Sequence, residues 1–141
     1  MRKYGLISRK EFSMLEINSV GRETVTVSEE NTASAVGSGS LRVFATPALA
    51  ALIEKAACNC LAGQLEEGMT SVGTVLNIKH IAATPVGMKA EAVVTLKEID
   101  GRKLVFDVSV TDEKEKISEG VHERFIVNSE RFMGKVTAKL G

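Results

Sequence analysis

Residues 46–65 read TPALAALIEKAACNCLAGQL, and this stretch decides the fold. Thr46 is a good N-cap, and Pro47 suits the first helical position, where its missing N–H costs nothing. Leu49, Leu52, Ile53, Ala56, Ala57, Cys60 and Leu61 follow at helical spacing and cover most of the circumference. Few polar residues interrupt them: Glu54, Lys55, Asn59 and Gln64. A helix apolar on nearly all sides must be buried on nearly all sides. The expectation is one long central helix over about 47–65, with Gly68 beyond it as a stop.

What buries such a helix must be sheet, because the chain after Gly68 reads as strand. Alternation and β-branched residues predict strands over 71–80, 86–99, 102–112 and 118–127, the last with room to continue toward Phe132. Asp100-Gly101 is a two-residue hairpin signal between the second and third of these. The charged run Asp112-Glu113-Lys114-Glu115-Lys116 reads as a solvated turn. Ahead of the helix, 23–28 alternates Thr and Val as a short strand. Residues 31–40 are small and polar and end in Gly37-Ser38-Gly39-Ser40, which reads as a loop; 41–44 is a brief extended piece. Strand–helix–strand alternation is missing, so a parallel sheet is not expected. The predicted class is α+β, with a long central helix wrapped by an antiparallel meander in a single domain over 23–141. Residues 1–22 show weak periodicity and read as an N-terminal extension, a disordered tail, or chain ahead of a start at Met14.

Composition narrows the function. At 141 residues, with 44% hydrophobic side chains, the chain can bury a core of ordinary size. Lys+Arg and Asp+Glu are 18 each, so the formal net charge is zero, which leaves no electrostatic footprint for nucleic acid or an anionic membrane. Aromatics at 4% are too few for a base-stacking platform. The apolar run Tyr4 to Ile7 is too short for a signal-peptide core, and no stretch is long enough to span a bilayer. Cys58 and Cys60 stand two apart on the predicted helix, point to different faces and cannot pair. They read as small buried apolar side chains in a reduced, cytoplasmic setting; with two histidines in the chain, a Cys-x-Cys metal site is the sharper and less supported alternative.

Thr46, Glu54 and His80 are the one set of hydroxyl, carboxylate and imidazole that one pocket could collect, and such groups recur in acyl transfer to water. In the strand before Ile81 the even positions Val72, Thr74, Leu76, Ile78 and His80 are the more apolar set, so His80 is expected to point inward, toward the helix. Glu54 has Ala50, Ala51, Ala57 and Cys58 as its helix-surface neighbours, and these small side chains leave room around it. Thr46 lies about two turns earlier, ~12 Å of rise, so the pair brackets a space beside the helix N-terminus, whose free N–H groups can stabilise an oxyanion. Each residue has a plainer reading: an ordinary N-cap, a solvated helix former, a satisfied core histidine. Gly73 within a strand implies a bulge or the close approach of a ligand. His122 alternates with Val121, Glu123 and Phe125, is expected to be exposed and is given no role.

Taken together, Ala45-Thr46-Pro47-Ala48-Leu49, Glu54, Thr70-Ser71-Val72-Gly73-Thr74, His80-Ile81-Ala82-Ala83-Thr84-Pro85-Val86-Gly87 and Asp100-Gly101-Arg102 resemble hot-dog-fold acyl-CoA thioesterases of the fluoroacetyl-CoA thioesterase type. The similarity runs from about Thr24 to Phe132. It implies a hot-dog fold, homodimers or higher homo-oligomers with substrate clefts at the subunit interface, and an acyl-CoA substrate. By the same resemblance Thr46, Glu54 and His80 match the catalytic Thr, Glu and His, while Gly73 and Arg124 match the substrate-binding Gly and Arg. The stretch comparable to the aromatic acyl lid of the fluoroacetyl specialist, Ser34 to Ser40, has no aromatic, which implies a different or broader short acyl group.

The expected chemistry is hydrolysis of a short acyl-CoA thioester. His80 also contacts the substrate, as general base and then as acid toward the departing thiolate. Glu54 either attacks the carbonyl or activates water. Thr46 positions the carbonyl or acts with the imidazole, and helix N–H groups with the Gly73 N–H hold the oxyanion. No metal or cofactor is called for; CoA enters as part of the substrate. The alternatives are a non-catalytic acyl-CoA binding module, an enoyl-thioester hydratase and a structural dimer module. The hydratase usually pairs an Asp with a His a few residues on, and the nearest acid before His80 is Glu67.

Overall fold

The computed structural model describes residues 15–141. The expected extension over 1–22 and the start at Met14 thus lie largely outside the described residues. Of that stretch, Leu15 joins the hydrophobic core and strand β1, Val20–Thr26, already begins at Val20. A 3-10 turn at Glu29–Asn31 and a short helix α1, Ala33–Val36, occupy the region expected to be loop. Side-chain caps make these turns: Ser28 and Asn31 form a capping box, and the Thr32 hydroxyl accepts from the Ala35 N–H.

The central helix α2 spans Thr46–Leu61. It stops before the expected Leu65, and the left-handed Gly63 and Gly68 turn the chain into the sheet. All seven apolar residues that predicted its burial are buried. Strands β2 (Met69–His80), β3 (Lys89–Asp100), β4 (Lys103–Asp112) and β5 (Lys116–Asn128) follow, then helix α3, Ser129–Thr137. The last strand therefore does not run on toward Phe132; the Asn128 side chain accepts from the Arg131 N–H and caps a helix instead. The β3–β4 hairpin turns through Gly101-Arg102, with Asp100 paired to Lys103.

The sheet order is β1-β3-β4-β5-β2, all antiparallel. The consecutive meander expected after the helix is corrected here: β3, β4 and β5 form it, whereas β2 lies beyond β5 and β1 beyond β3. The chain crosses from β2 to β3 over the loop at 81–88, leaving β2, twelve residues long, at one edge. This curled antiparallel sheet around one helix is the hot-dog architecture.

Packing fixes the helix against the sheet. A side chain at Gly21 of β1 would overlap the Ala56 carbonyl oxygen and crowd Cys60, so the strand touches the α2 backbone only because residue 21 has no Cβ. Phe44, Leu49, Ile53, Leu96, Leu104, Phe106, Ile117 and Ile126 fill the space between the layers, each contributing about 1.5–3 kcal/mol of burial. Cys60 belongs to this core, but Cys58 is exposed and does not fit the buried reading given to both thiols; the two do not pair in a disulfide.

Candidate active site

Ala45, not Thr46, is the N-cap of α2: it holds extended backbone angles and makes no side-chain cap bond. Thr46 is the first helical residue, and its side chain is thereby released from capping. Its hydroxyl lies 2.8 Å from His80 Nδ1 at the end of β2. The His80 Nε2 is buried with no hydrogen-bond partner among the described residues. Burial pushes the His80 pKa below its ordinary value, with the Ala82 backbone opposing in part, so the ring is neutral near pH 7. Beside the pair is a cavity of about 300 Å³, lined by Ala33, Ser38, Val43, Phe44, Thr46 and His80 among others. No aromatic comes from the 34–40 stretch; α1 and the glycine-serine turn cover that side.

Glu54 lies elsewhere. Its half-exposed side chain (46%) faces the buried Arg124 (7%), with Oε2 3.5 Å from Arg124 Nη1, at the outer limit of a hydrogen bond. Arg124 Nε donates to the Ser71 hydroxyl at 2.8 Å, and Nη2 donates to the Ser71 carbonyl at 3.1 Å. Gly73 lies against the same carboxylate: a Cβ there would overlap Glu54 Oε2. The bulge expected at Gly73 is present, between Gly73 and Val75. It also limits the alternation reading of β2. Leu76, Ile78 and His80 do face inward, but ahead of the bulge it is the odd residues Met69 and Ser71 that face the helix side.

One chain therefore assembles two polar groups. Thr46 and His80 meet at the helix N-terminus; Glu54, Gly73 and Arg124 meet two turns further along. No hydrogen bond joins them among the described residues. Gly73 and His80 occupy the same strand, roughly 20 Å apart.

His122 is the residue the sequence reading missed. It is 1% exposed rather than exposed. Inward positions on β5 are His122, Arg124 and Ile126, while Phe125 is 41% exposed on the other face, so hydropathy pointed the wrong way. Residues two apart on a strand share a face, and His122 shares one with Arg124. The signal was there in the His-x-Arg spacing.

The family model of the fluoroacetyl-CoA-specific thioesterase, FlK, matches residues 27–130. A fluoroacetyl-CoA thioesterase of Streptantibioticus cattleyicolor is 38% identical over 97 residues, 69% of this chain and 70% of that protein. A solved structure of the fluoroacetyl-CoA thioesterase FlK superposes with a TM-score of 0.83 at 30% identity, covering 89% of this chain and 97% of that one. A mutant of that enzyme solved with acetyl-CoA gives 0.84 at 29% identity, over 90% and 100% of the two chains.

Proposed function

This chain belongs to the fluoroacetyl-CoA-specific thioesterase family and is an acyl-CoA thioester hydrolase; on that premise we propose that its active site forms between two copies of the chain. The observation that carries this reading is the separation of Thr46–His80 from Glu54–Gly73–Arg124. A carbonyl held at one group is out of reach of the other within a single chain. Edge strand β2 offers the remedy, since its outer backbone groups are open to another strand. Antiparallel pairing about a two-fold axis between Leu76 and Asn77 sets His80 alongside Gly73 of the partner subunit. Each homodimer then has two complete sites.

In such a site the thioester carbonyl lies between the Gly73 N–H and the α2 N-terminus, which carry the oxyanion. Arg124 anchors Glu54 and the substrate. Glu54 either attacks the carbonyl, forming an anhydride that water then opens, or directs water onto it. When water attacks directly, His80, neutral near pH 7, takes its proton and returns one to the CoA thiolate as the carbon–sulfur bond breaks; when Glu54 attacks, CoA leaves first as the thiolate and His80 takes the proton of the water that then opens the anhydride. Thr46 holds the His80 ring at Nδ1 and reaches the carbonyl. The products are the free acid and CoA. Neither step requires a metal or a resident cofactor.

The acyl group is short. The cavity beside Thr46 is small, and a relative's mutant has been solved in complex with acetyl-CoA. Small residues and serine cover it where an aromatic lid would exclude other acyl groups, which supports a broader preference than fluoroacetyl. Among the described residues no helix is long and apolar enough to cross a membrane; two free thiols and a CoA-linked substrate support a cytoplasmic setting.

A panel of acyl-CoA esters from acetyl and fluoroacetyl to octanoyl, assayed by release of free thiol, tests the reading. Turnover should be fastest at the short end. Absence of thiol release across the panel, with CoA esters still bound, would replace it with a binding module.

A further inference from the structure

Arg124 is held by more than its carboxylate. Behind it lies His122, closed off from solvent, its ring stacked on Phe106 of β4 at a 6.1 Å centroid separation and 27° between planes. His122 Nδ1 is 2.8 Å from the Val75 carbonyl oxygen at the β2 bulge. A carbonyl can only accept, so Nδ1 carries the proton. In a neutral ring Nε2 is then an acceptor, and it lies 3.3 Å from Arg124 Nη1, which can only donate. Both contacts are satisfied by one protonation state, the neutral Nδ1–H tautomer. An imidazolium would turn a second donor and a second positive charge toward the guanidinium.

The consequence falls on Arg124. Four of its five N–H donors are engaged, Nε and one Nη2 N–H on Ser71 and the two Nη1 N–H groups on His122 Nε2 and Glu54 Oε2, and the second Nη2 N–H is the one available to the substrate. A guanidinium pinned at three corners cannot rotate about its own plane. We propose that His122, as the neutral Nδ1–H tautomer, is a positioning residue that locks Arg124 and through it aims the Glu54 carboxylate at the thioester. The assignment rests on the thioesterase reading above. His122 itself does not touch the substrate.

The surroundings agree. Burial is the main influence lowering the His122 pKa; the Val75 bond opposes it, the Arg124 cation adds to it, and Glu54 on α2 and Glu123 on β5 oppose it. Thr74, the bulged residue, donates its hydroxyl to the Glu123 carbonyl at 3.2 Å. The bulge is thus tied to β5 beside the His122 contact, which helps fix the Val75 carbonyl that the imidazole reads.

Two amide substitutions separate the roles of the two ring nitrogens. H122Q can present a carbonyl near the Nε2 position and keep an acceptor for Arg124; H122N can present an N–H near Nδ1 and keep only the Val75 bond. H122F keeps ring shape and stacking and loses both. With thermal midpoints measured in parallel, H122Q should retain most of kcat, while H122N and H122F lose about tenfold to a hundredfold in kcat with KM changed less. The Arg124 Nε–H nuclear magnetic resonance signal should stay sharp in H122Q and be lost in H122N and H122F. Equal losses in all three variants that follow their thermal midpoints would reduce His122 to a packing residue and overturn the proposal. So would nitrogen-15 spectra of the wild type showing an Nε2–H ring or an imidazolium near neutral pH. If the wild type turns over no thioester, the thioesterase reading fails by itself, while the tautomer and Arg124 signals still decide whether His122 locks the arginine.

Discussion

Glu54 faces Arg124 and not His80: its Oε2 lies 3.5 Å from Arg124 Nη1, while the imidazole is at the far end of β2. The carboxylate and the imidazole proposed for one reaction thus stand at two places in the chain. Complementation between two dead enzymes follows. H80A and E54A homodimers should each be inactive. Dissociated and reassociated in equal amounts, they should recover about a quarter of wild-type activity, since half the dimers are mixed and each has one intact site. Recovery near zero, with hetero-dimers demonstrably formed, would place all three catalytic groups in one chain.

Pairing through β2 has its own check. Proline at Thr74 or lysine at the half-exposed Val75 should disfavour strand addition at that edge. Sedimentation should show monomer, and activity should fall with it in proportion to the dimer lost. A fully active monomer would exclude the shared site.

Gly73 is required to be small by the Glu54 carboxylate. G73A should move that carboxylate and lower kcat/KM by about a hundredfold. The strand lies at a sheet edge with a bulge, so its denaturant midpoint should change little. A large stability loss with normal specific activity in the folded fraction would show that the glycine serves folding instead.

Acid should inactivate the enzyme late. The base form of His80 is neutral, and burial holds its pKa below the ordinary 6.5. The acid limb of kcat/KM should therefore have its midpoint below 6.5, and T46V should change that midpoint by removing the Nδ1 contact. The same shift has a stability sign. His80 and His122 both bind protons more weakly folded than unfolded. Stability contributed by their neutral forms is fully present above the unfolded pKa and declines as pH falls through it toward the folded one. Melting midpoints followed from neutral to mildly acidic pH should fall, and less steeply in H122F.

The seam between β1 and α2 predicts a purely structural effect. G21A forces a methyl against the Ala56 carbonyl and Cys60. It should destabilise the chain by about 1–3 kcal/mol in urea unfolding, with the catalytic constants of the folded protein unchanged.

The sequence alone determined the elements that depend on local pattern. The apolar run after Thr46-Pro47 specified a buried helix because burial on every side needs apolar residues on every side, and all seven are buried. Alternation specified the strands, and a glycine inside one pointed to a bulge or a close approach, of which the bulge is present. Local pattern could not order the strands: β2 and β3 are adjacent in sequence but stand at different places in the sheet, since pairing is chosen by the whole layer closing over the helix. Nor could it orient polar side chains. Thr46 looked like a cap until Ala45 took that place and freed its hydroxyl for His80. His122 looked exposed because hydropathy ranks imidazole below phenylalanine, yet a buried polar group is tolerated wherever partners satisfy it, and Val75 and Arg124 do so. Only tertiary structure decides which groups meet across strands, because hydrogen-bond partners for a buried side chain come from residues distant in sequence.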